Sequence, residues 1–314
     1  MVSKPKIYID GKEGTTGLQI YERLGERTDI ELLLIDEDKR KDVDERKKLI
    51  NAADLVFLCL PDAAAVEAVG LIENEHTRVI DASTAHRTKR GWVYGFAELY
   101  KKPEQTIGQA RFVANPGCHA TGFLSTVAPL VALNVLPRDY PITCFSLTGY
   151  SGGGKKMIAQ YEGADKPAEL FSPRVYGTTL QHKHLPEMQK IAGLDKPPIF
   201  CPVVDDYYKG MATTVMIFND YLRGQPTAEE ICHILSAYYA GQPLVKVAPY
   251  QKEGTFLASN TLAGKDCLEI VVSGHEDQTI LTARFDNLGK GASGAAVQNM
   301  NLMLGFEATT GLSL

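Results

Sequence analysis

The chain has no CxxC pair, and its six cysteines fall at irregular intervals, mostly inside apolar runs such as VFLCLPD, ITCFSL and IFCPVV. That excludes a zinc ribbon and a disulfide framework, and describes reduced thiols in a cytoplasmic protein. No apolar run is long enough to cross a bilayer, and no signal-peptide core opens the sequence. Positive charge is not in excess: 33 Lys and Arg against 38 Asp and Glu leave −5 at pH 7. A general nucleic-acid binder is therefore not expected, and Lys39-Arg40-Lys41 and Arg46-Lys47-Lys48 read as solvated faces. No internal repeat or low-complexity tract appears, and 314 residues are enough for two domains.

What is present begins with a β-type run, KIYID, leading into Gly11-Lys12-Glu13-Gly14-Thr15-Thr16-Gly17 and then a helical pattern through Leu18, Tyr21 and Leu24. Strand, G-x-x-G-x-x-G and helix is the setting in which backbone approaches a dinucleotide pyrophosphate at a helix N-terminus. Asp36 closes the next strand, ELLLID, where an acidic residue takes a ribose 2′-OH and selects NAD. Lys39 and Arg40 lie just beyond and could hold a 2′-phosphate instead, so spacing leaves the cofactor open. Apolar strands LVFLCL and RVIDAS alternate with helices, the mark of a parallel sheet covered on both faces. Their C-terminal ends carry ligands in such folds, which brings forward Arg87, suited to bidentate recognition of an anion.

The most informative stretch is RFVANPGCHATG, where a strand meets Pro116-Gly117 and Cys118 opens a helix. A helix start stabilises a thiolate through unpaired N–H groups and the macrodipole, so Cys118 is the candidate nucleophile. A base or cation is expected beside it. His119 is its neighbour in sequence and is expected to point elsewhere. His182 and His184 lie in a polar, tyrosine-bearing loop, with His182 favoured for acid/base work and His184 close behind. No third ligand completes a metal site around that pair, so no metal is expected. Beyond Tyr140 the β-type runs come with few helices, the pattern of a mainly antiparallel sheet in an α+β domain. This region holds Ser151-Gly152-Gly153 after a strand, and a capping box at Thr227 and Glu230. The C-terminus, DNLGKGASGAAVQNMNLM, is a helix of small residues that packs close to something.

IDGKEGTTGLQI, VIDASTAHR, ANPGCHATG, GYSGGGKKMIAQYE, HKHLPE and DNLGKGASGAAVQNMNLM together resemble the shorter N-acetyl-gamma-glutamyl-phosphate reductases. Aspartate-semialdehyde and glyceraldehyde-3-phosphate dehydrogenases are wider relatives. The resemblance implies a Rossmann-type parallel-sheet domain over 1–118, completed by 290–314, and an α+β catalytic and dimerisation domain over 119–289. It implies NADP as cofactor, overriding the ambiguous Asp36, a thioester on Cys118, and a homo-oligomer, dimer or tetramer. Gly11, Gly14, Thr15, Thr16, Gly17, Ser151, Gly152, Gly153 and Asn287 would line the cofactor side. Asn115, Arg87 and Tyr176 would hold substrate; Tyr176 stands six residues before His182, as a tyrosine does in longer relatives. Lys209 replaces the arginine that commonly precedes Gly-Met, which leaves its role open. A reductase of another acyl phosphate, such as aspartyl phosphate, would share the mechanism, and a non-catalytic NADPH sensor would share the cofactor loop. An epimerase or short-chain dehydrogenase would need a Tyr-x-x-x-Lys pair, absent in a suitable place.

Overall fold

A computed structural model describes residues 3–251 and 254–314. The chain divides into two compact units, Met1–Pro116 with Ala292–Leu312, and Gly117–Gly291 with Ser313–Leu314. Among the described residues of the first unit are strands β1 (Lys6–Asp10), β2 (Glu31–Leu33), β3 (Leu55–Leu58), β4 (Arg78–Asp81), β5 (Val93–Tyr94) and β6 (Phe112–Ala114). They form one sheet in the order β2-β1-β3-β4-β6-β5, every pairing parallel. Helices α1 (Thr15–Gly25), α2 (Val43–Ala52), α3 (Asp62–Gly70) and α4 (Pro103–Thr106) lie between the strands.

Both faces of the sheet's centre are apolar because strand residues alternate sides while Ile7–Asp10 of β1 and all four residues of β3 are buried. Ile7, Ile9, Leu55 and Phe57 pack on one side with Ile20 and Leu24 of α1. Tyr8, Val56 and Leu58 pack on the other with Ile50 of α2 and Ala65 and Ala68 of α3. Further along the chain, the last helix supplies Ala296, Val297 and Met300 to the first of these clusters. Gly95 lets it approach: a Cβ there would lie 2.4 Å from Asn299 Nδ2. One buried ion pair sits at the end of β1, where Asp10 Oδ2 accepts from Arg46 Nη2 at 2.9 Å.

The second unit opens with α5 (Cys118–Ala132), followed by β7 (Thr143–Gly149), α6 (Gly154–Glu162), β8 (Arg174–Val175), α7 (Leu185–Ala192), β9 (Ile199–Asp205), β10 (Met211–Phe218), α8 (Ala228–Tyr238), β11 (Val245–Val247), β12 (Leu268–Gly274) and β13 (Gln278–Phe285). A π-turn over Gly289–Ser293 leads into α9 (Gly294–Leu304). The seven-stranded sheet runs β11-β12-β13-β10-β7-β9-β8. It is antiparallel except for β11 with β12 and β7 with β9. The capping box read at Thr227 is present in full at the start of α8. Helices α5 and α8 cover one face of the sheet, toward which Val215 and Ile217 of β10 are buried. The alternate residues Met216 and Phe218, with Ile280 of β13, are exposed on the other.

Helix α5 can lie flush on the sheet because Gly122 has no side chain: a Cβ there would stand 2.4 Å from Thr213 Oγ1 and 2.9 Å from Phe285 Cε1. Gly122→Ala is therefore expected to destabilise the protein by about 2–3 kcal/mol through overpacking, despite alanine's better helix propensity. Urea denaturation of the two proteins measures this.

Candidate active site

Cys118 is the first residue of α5, after Gly117 in extended conformation (φ −77°, ψ 146°). The first-turn N–H groups of such a helix have no intrahelical acceptor and favour negative charge beside them. No side-chain cap closes this end. Instead the Gly117 N–H donates to Glu187 Oε2 of α7 at 3.2 Å. Glu187 is 1% exposed, and its Oε1 lies 3.9 Å from His184 Nε2. Glu187 stands in the sequence only as part of the HKHLPE stretch. Its spacing of three from His184, which on a helical turn brings two side chains together, was the available signal.

The structure gathers His182, His184 and Tyr176 around one ring, that of His119. Centroid separations from His119 are 5.7 Å to His182, 5.7 Å to His184 and 6.1 Å to Tyr176. His119, expected to point elsewhere, is enclosed by the 176–184 loop. The loop turns at Gly177 (φ 65°) and Leu180 (φ 56°), and for a leucine the left-handed conformation is strained. His182 Nδ1 accepts the His184 N–H at 3.2 Å, so neutral His182 carries its proton on Nε2.

His119 is 3% exposed, with Nδ1 2.8 Å from Ser146 Oγ and Nε2 2.6 Å from the Tyr176 hydroxyl. Ser146 Oγ in turn lies 2.8 Å from Thr213 Oγ1. Burial first, and the neighbouring His182 second, push the His119 pKa down to about 3. Burial, with the Cys118 sulfur as the second cause, holds the Tyr176 phenol far above its ordinary range. At neutral pH this is a chain of uncharged donors and acceptors ending at Tyr176, within the electrostatic influence of Cys118.

Ser151 and Asn287 also meet: Asn287 Nδ2 donates to Ser151 Oγ at 2.9 Å, and Asn287 Oδ1 accepts the Gly210 N–H at 2.9 Å. Gly152 keeps the approach open, its Cβ position 3.4 Å from Asn287 Nδ2, while a Cβ on Gly153 would meet Met157 of α6 at 2.4 Å. Lys209 is drawn to Asp286, with Nζ 3.5 Å from Oδ2. Among the described residues no group of three His, Cys, Asp or Glu side chains is placed so that it could hold a metal ion.

In the first unit, the glycine loop has the build of a phosphate cradle. Gly14 N–H closes a turn on Gly11 O at 3.1 Å, and Gly11 takes φ 86°. A Cβ on Gly11 would lie 2.5 Å from Cys59 O, and one on Gly17 2.5 Å from Gly11 O, so neither position admits a side chain. Thr15 Oγ1 has no hydrogen-bond partner among the described residues, and Thr16 is half-buried beside it in the first turn of α1. A cavity of about 430 Å³ adjoins the loop, bordered by Asp10, Gly11, Lys12, Arg40, Lys41 and Arg46. Asp36 is exposed, and Lys39 Nζ is 3.5 Å from it. Asp10 and Arg46 were not singled out by the sequence analysis. Nothing in the strand-end position of one, or in the basic cluster holding the other, marks them as a pair.

Arg87 is buried, donating from Nε to Asn115 O at 3.0 Å and from Nη2 to Ala82 O at 3.2 Å. Asn115, expected near substrate, has its amide bonded to Ala292 O at 3.0 Å and to Asn299 at 3.1 Å. Those bonds tie it to the segment that opens α9. Asp81 holds the Arg87 loop through Ser83 and through His86 Nδ1 at 2.5 Å.

Residues 6–107 match the family model described as the semialdehyde dehydrogenase NAD binding domain, and 118–287 match the semialdehyde dehydrogenase dimerisation domain. A Nostoc protein named N-acetyl-gamma-glutamyl-phosphate reductase 2 is 47% identical over 99% of this chain and 100% of its own length. The Brucella ovis N-acetyl-gamma-glutamyl-phosphate reductase is 49% identical over 96% of this chain and 99% of its own. Among solved structures, aspartate semialdehyde dehydrogenase II of Vibrio cholerae superposes with a TM-score of 0.73 at 17% identity, covering 96% of this chain and 98% of that one. A Francisella tularensis aspartate semialdehyde dehydrogenase gives 0.71 at 16% identity, covering 94% and 99%.

The low pKa of His119 has a consequence for stability. The unfolded chain, with a histidine pKa near 6.5, binds one more proton than the folded chain between that pH and about 3. Stability from this group is complete above about 6.5 and falls by about 1.4 kcal/mol per pH unit below it. Between pH 7 and 5, wild type is expected to lose roughly 2 kcal/mol more than His119→Gln. Urea denaturation at the two pH values checks the difference.

Proposed function

The chain belongs to the N-acetyl-gamma-glutamyl-phosphate reductase family, and we propose that it turns N-acetyl-γ-glutamyl phosphate into N-acetylglutamate 5-semialdehyde through a Cys118 thioester. This is a reductive step of arginine biosynthesis. The observation that carries the reading is Cys118 at the open start of α5, with the imidazole cluster of His119, His182 and His184 gathered against that turn.

The Cys118 sulfur forms a bond to the acyl carbon while the carbon–oxygen bond to phosphate breaks, and phosphate leaves with the electron pair. The helix-start N–H groups meet the charge that develops on the acyl oxygen, at roughly 3 kcal/mol per well-placed donor. His184, with Glu187 behind it, has the arrangement that stabilises an imidazolium and is the better acceptor of the thiol proton. His182 presents Nε2–H and supports the oxyanion. NADPH, when bound, would supply the hydride that brings the thioester to the aldehyde level. The carbon–sulfur bond then breaks as the oxyanion re-forms the carbonyl, and the proton held on His184 returns to the Cys118 sulfur.

NADP, rather than NAD, is the cofactor we propose, and the residues fit it. Gly11, Gly14, Thr15, Thr16 and Gly17 would take the pyrophosphate, and Arg40 and Lys41, on the border of the adjoining cavity, the 2′-phosphate. Ser151, Gly152, Gly153 and Asn287 would serve the nicotinamide side, and Arg87 and Tyr176 the substrate. The protein would work in the cytoplasm as a homo-oligomer, a second copy covering the sheet face that exposes Met216, Phe218 and Ile280.

Two measurements test this. With N-acetylglutamate semialdehyde, phosphate and NADP, Cys118→Ser is expected to lose at least 1000-fold in kcat, a loss of about 4 kcal/mol of transition-state stabilisation; near-normal turnover would sink the thioester. Arg40→Ala is expected to weaken NADPH binding about tenfold by fluorescence titration, leaving NADH unchanged.

A further inference from the structure

We propose that His119 is a positioning residue for the Cys118 reaction: as the Nε2–H tautomer it donates to the Tyr176 phenol oxygen, which aims the Tyr176 hydroxyl proton outward to the oxygen of the acyl group on Cys118. The inference rests on the reading of Cys118 as the nucleophile and assigns a further hydrogen-bond donor and its support to that site.

The protons along one buried row can be counted. Thr213 Oγ1, Ser146 Oγ, His119 Nδ1, His119 Nε2 and the Tyr176 hydroxyl follow one another at 2.8, 2.8 and 2.6 Å across the three contacts. Thr213 and Ser146 are both fully buried. A neutral imidazole carries one N–H, so the row has two possible directions. If His119 Nδ1 donates to Ser146, then Ser146 donates to Thr213, and the Thr213 proton is left over. Among the described residues Thr213 Oγ1 has no other hydrogen-bond partner, and a buried hydroxyl proton without an acceptor costs about 1–3 kcal/mol. In the opposite direction Thr213 donates to Ser146, Ser146 to Nδ1, and Nε2–H to Tyr176. Every buried proton then has an acceptor, and the one proton left over belongs to Tyr176, at the half-buried end of the row.

That end is where a donor has use. Tyr176 lies within electrostatic reach of the Cys118 sulfur and stays protonated. His119 cannot take up a proton near neutral pH, so the direction does not reverse by charging. The titratable groups around this point are Cys118 on α5, Tyr176, His182 and His184 on the loop, and Glu187 on α7. Gly122 keeps the far end of the row in place, since any side chain there would displace Thr213.

The tautomer can be read on the wild-type protein by long-range ¹H–¹⁵N NMR with ¹⁵N-histidine, the His119 signals being those lost in His119→Gln. A protonated Nε2 and bare Nδ1 are expected; a protonated Nδ1 overturns the inference. In the assay with N-acetylglutamate semialdehyde, phosphate and NADP, Tyr176→Phe and His119→Phe are each expected to lower kcat by roughly 10–100-fold. The double variant should fall no more than about twofold below the weaker single, because both remove one donor. His119→Gln, whose amide can still donate to Tyr176, should stay within about fivefold of wild type. Wild-type kcat in His119→Phe, or losses that multiply in the double variant, would overturn the inference. Iodoacetamide labelling of Cys118 should persist in all of these proteins. Loss of turnover in Cys118→Ser alongside an unaffected His119→Phe sinks the inference alone, whereas an active Cys118→Ser sinks the reading beneath it and the inference with it.

Discussion

A single hydrogen bond, from the Gly117 N–H to Glu187 Oε2, fixes where α5 begins, and the second unit is arranged around that point. A helix start needs acceptors for its first N–H groups, and the common solution is a Ser, Thr, Asp or Asn at the cap. Here the cap residue is glycine and the carboxylate comes from α7, about seventy residues later. The bond takes up the N–H of the cap residue itself and leaves the N–H groups of the first helical turn with no side-chain cap across them. It also couples α7, and with it the histidine loop, to the residue that bears the sulfur. Glu187 is buried, and its other oxygen lies 3.9 Å from His184 Nε2.

The cluster around His119 shows how a buried polar network avoids the usual penalty. Three imidazoles and a phenol are packed at centroid distances of 4.7–6.1 Å, with His182 edge-on to both His119 and His184 and the other pairs tilted. Placing a charge there would be expensive, and burial keeps the central imidazole neutral. Next to a neutral imidazole, positive character for a thiol at this point comes from the helix start.

Much of this could be read from the sequence, for reasons that are local. KIYID followed by spaced glycines, and apolar runs without alternation, announce a parallel sheet and a tight glycine turn from chain-neighbour geometry alone. The Pro-Gly before Cys118 does the same for a strand–helix junction. What stayed hidden is set by distant partners. The parallel pairing of β7 with β9 is decided by what lies between them, and β8 is only two residues long. His119 was set aside because successive helical residues diverge. That argument is sound for one helix and fails when a loop sixty residues away encloses it. Asp10 and Arg46 are separated by thirty-six positions, and nothing in either neighbourhood marks them as partners.

The first unit draws its last core helix from the far end of the chain. Ala296, Val297 and Met300 of α9 pack with Ile7, Phe57, Ile80 and Val113, which lie within the first 113 residues. A ribosome making this protein therefore exposes an unfinished apolar sheet face for nearly the whole of synthesis. The second unit, almost entirely continuous from Gly117 to Gly291, can collapse as soon as it emerges. Vectorial folding thus runs from the middle outward, and a nascent chain stalled before residue 292 leaves its nucleotide-binding half with a bare hydrophobic flank, a natural target for chaperones.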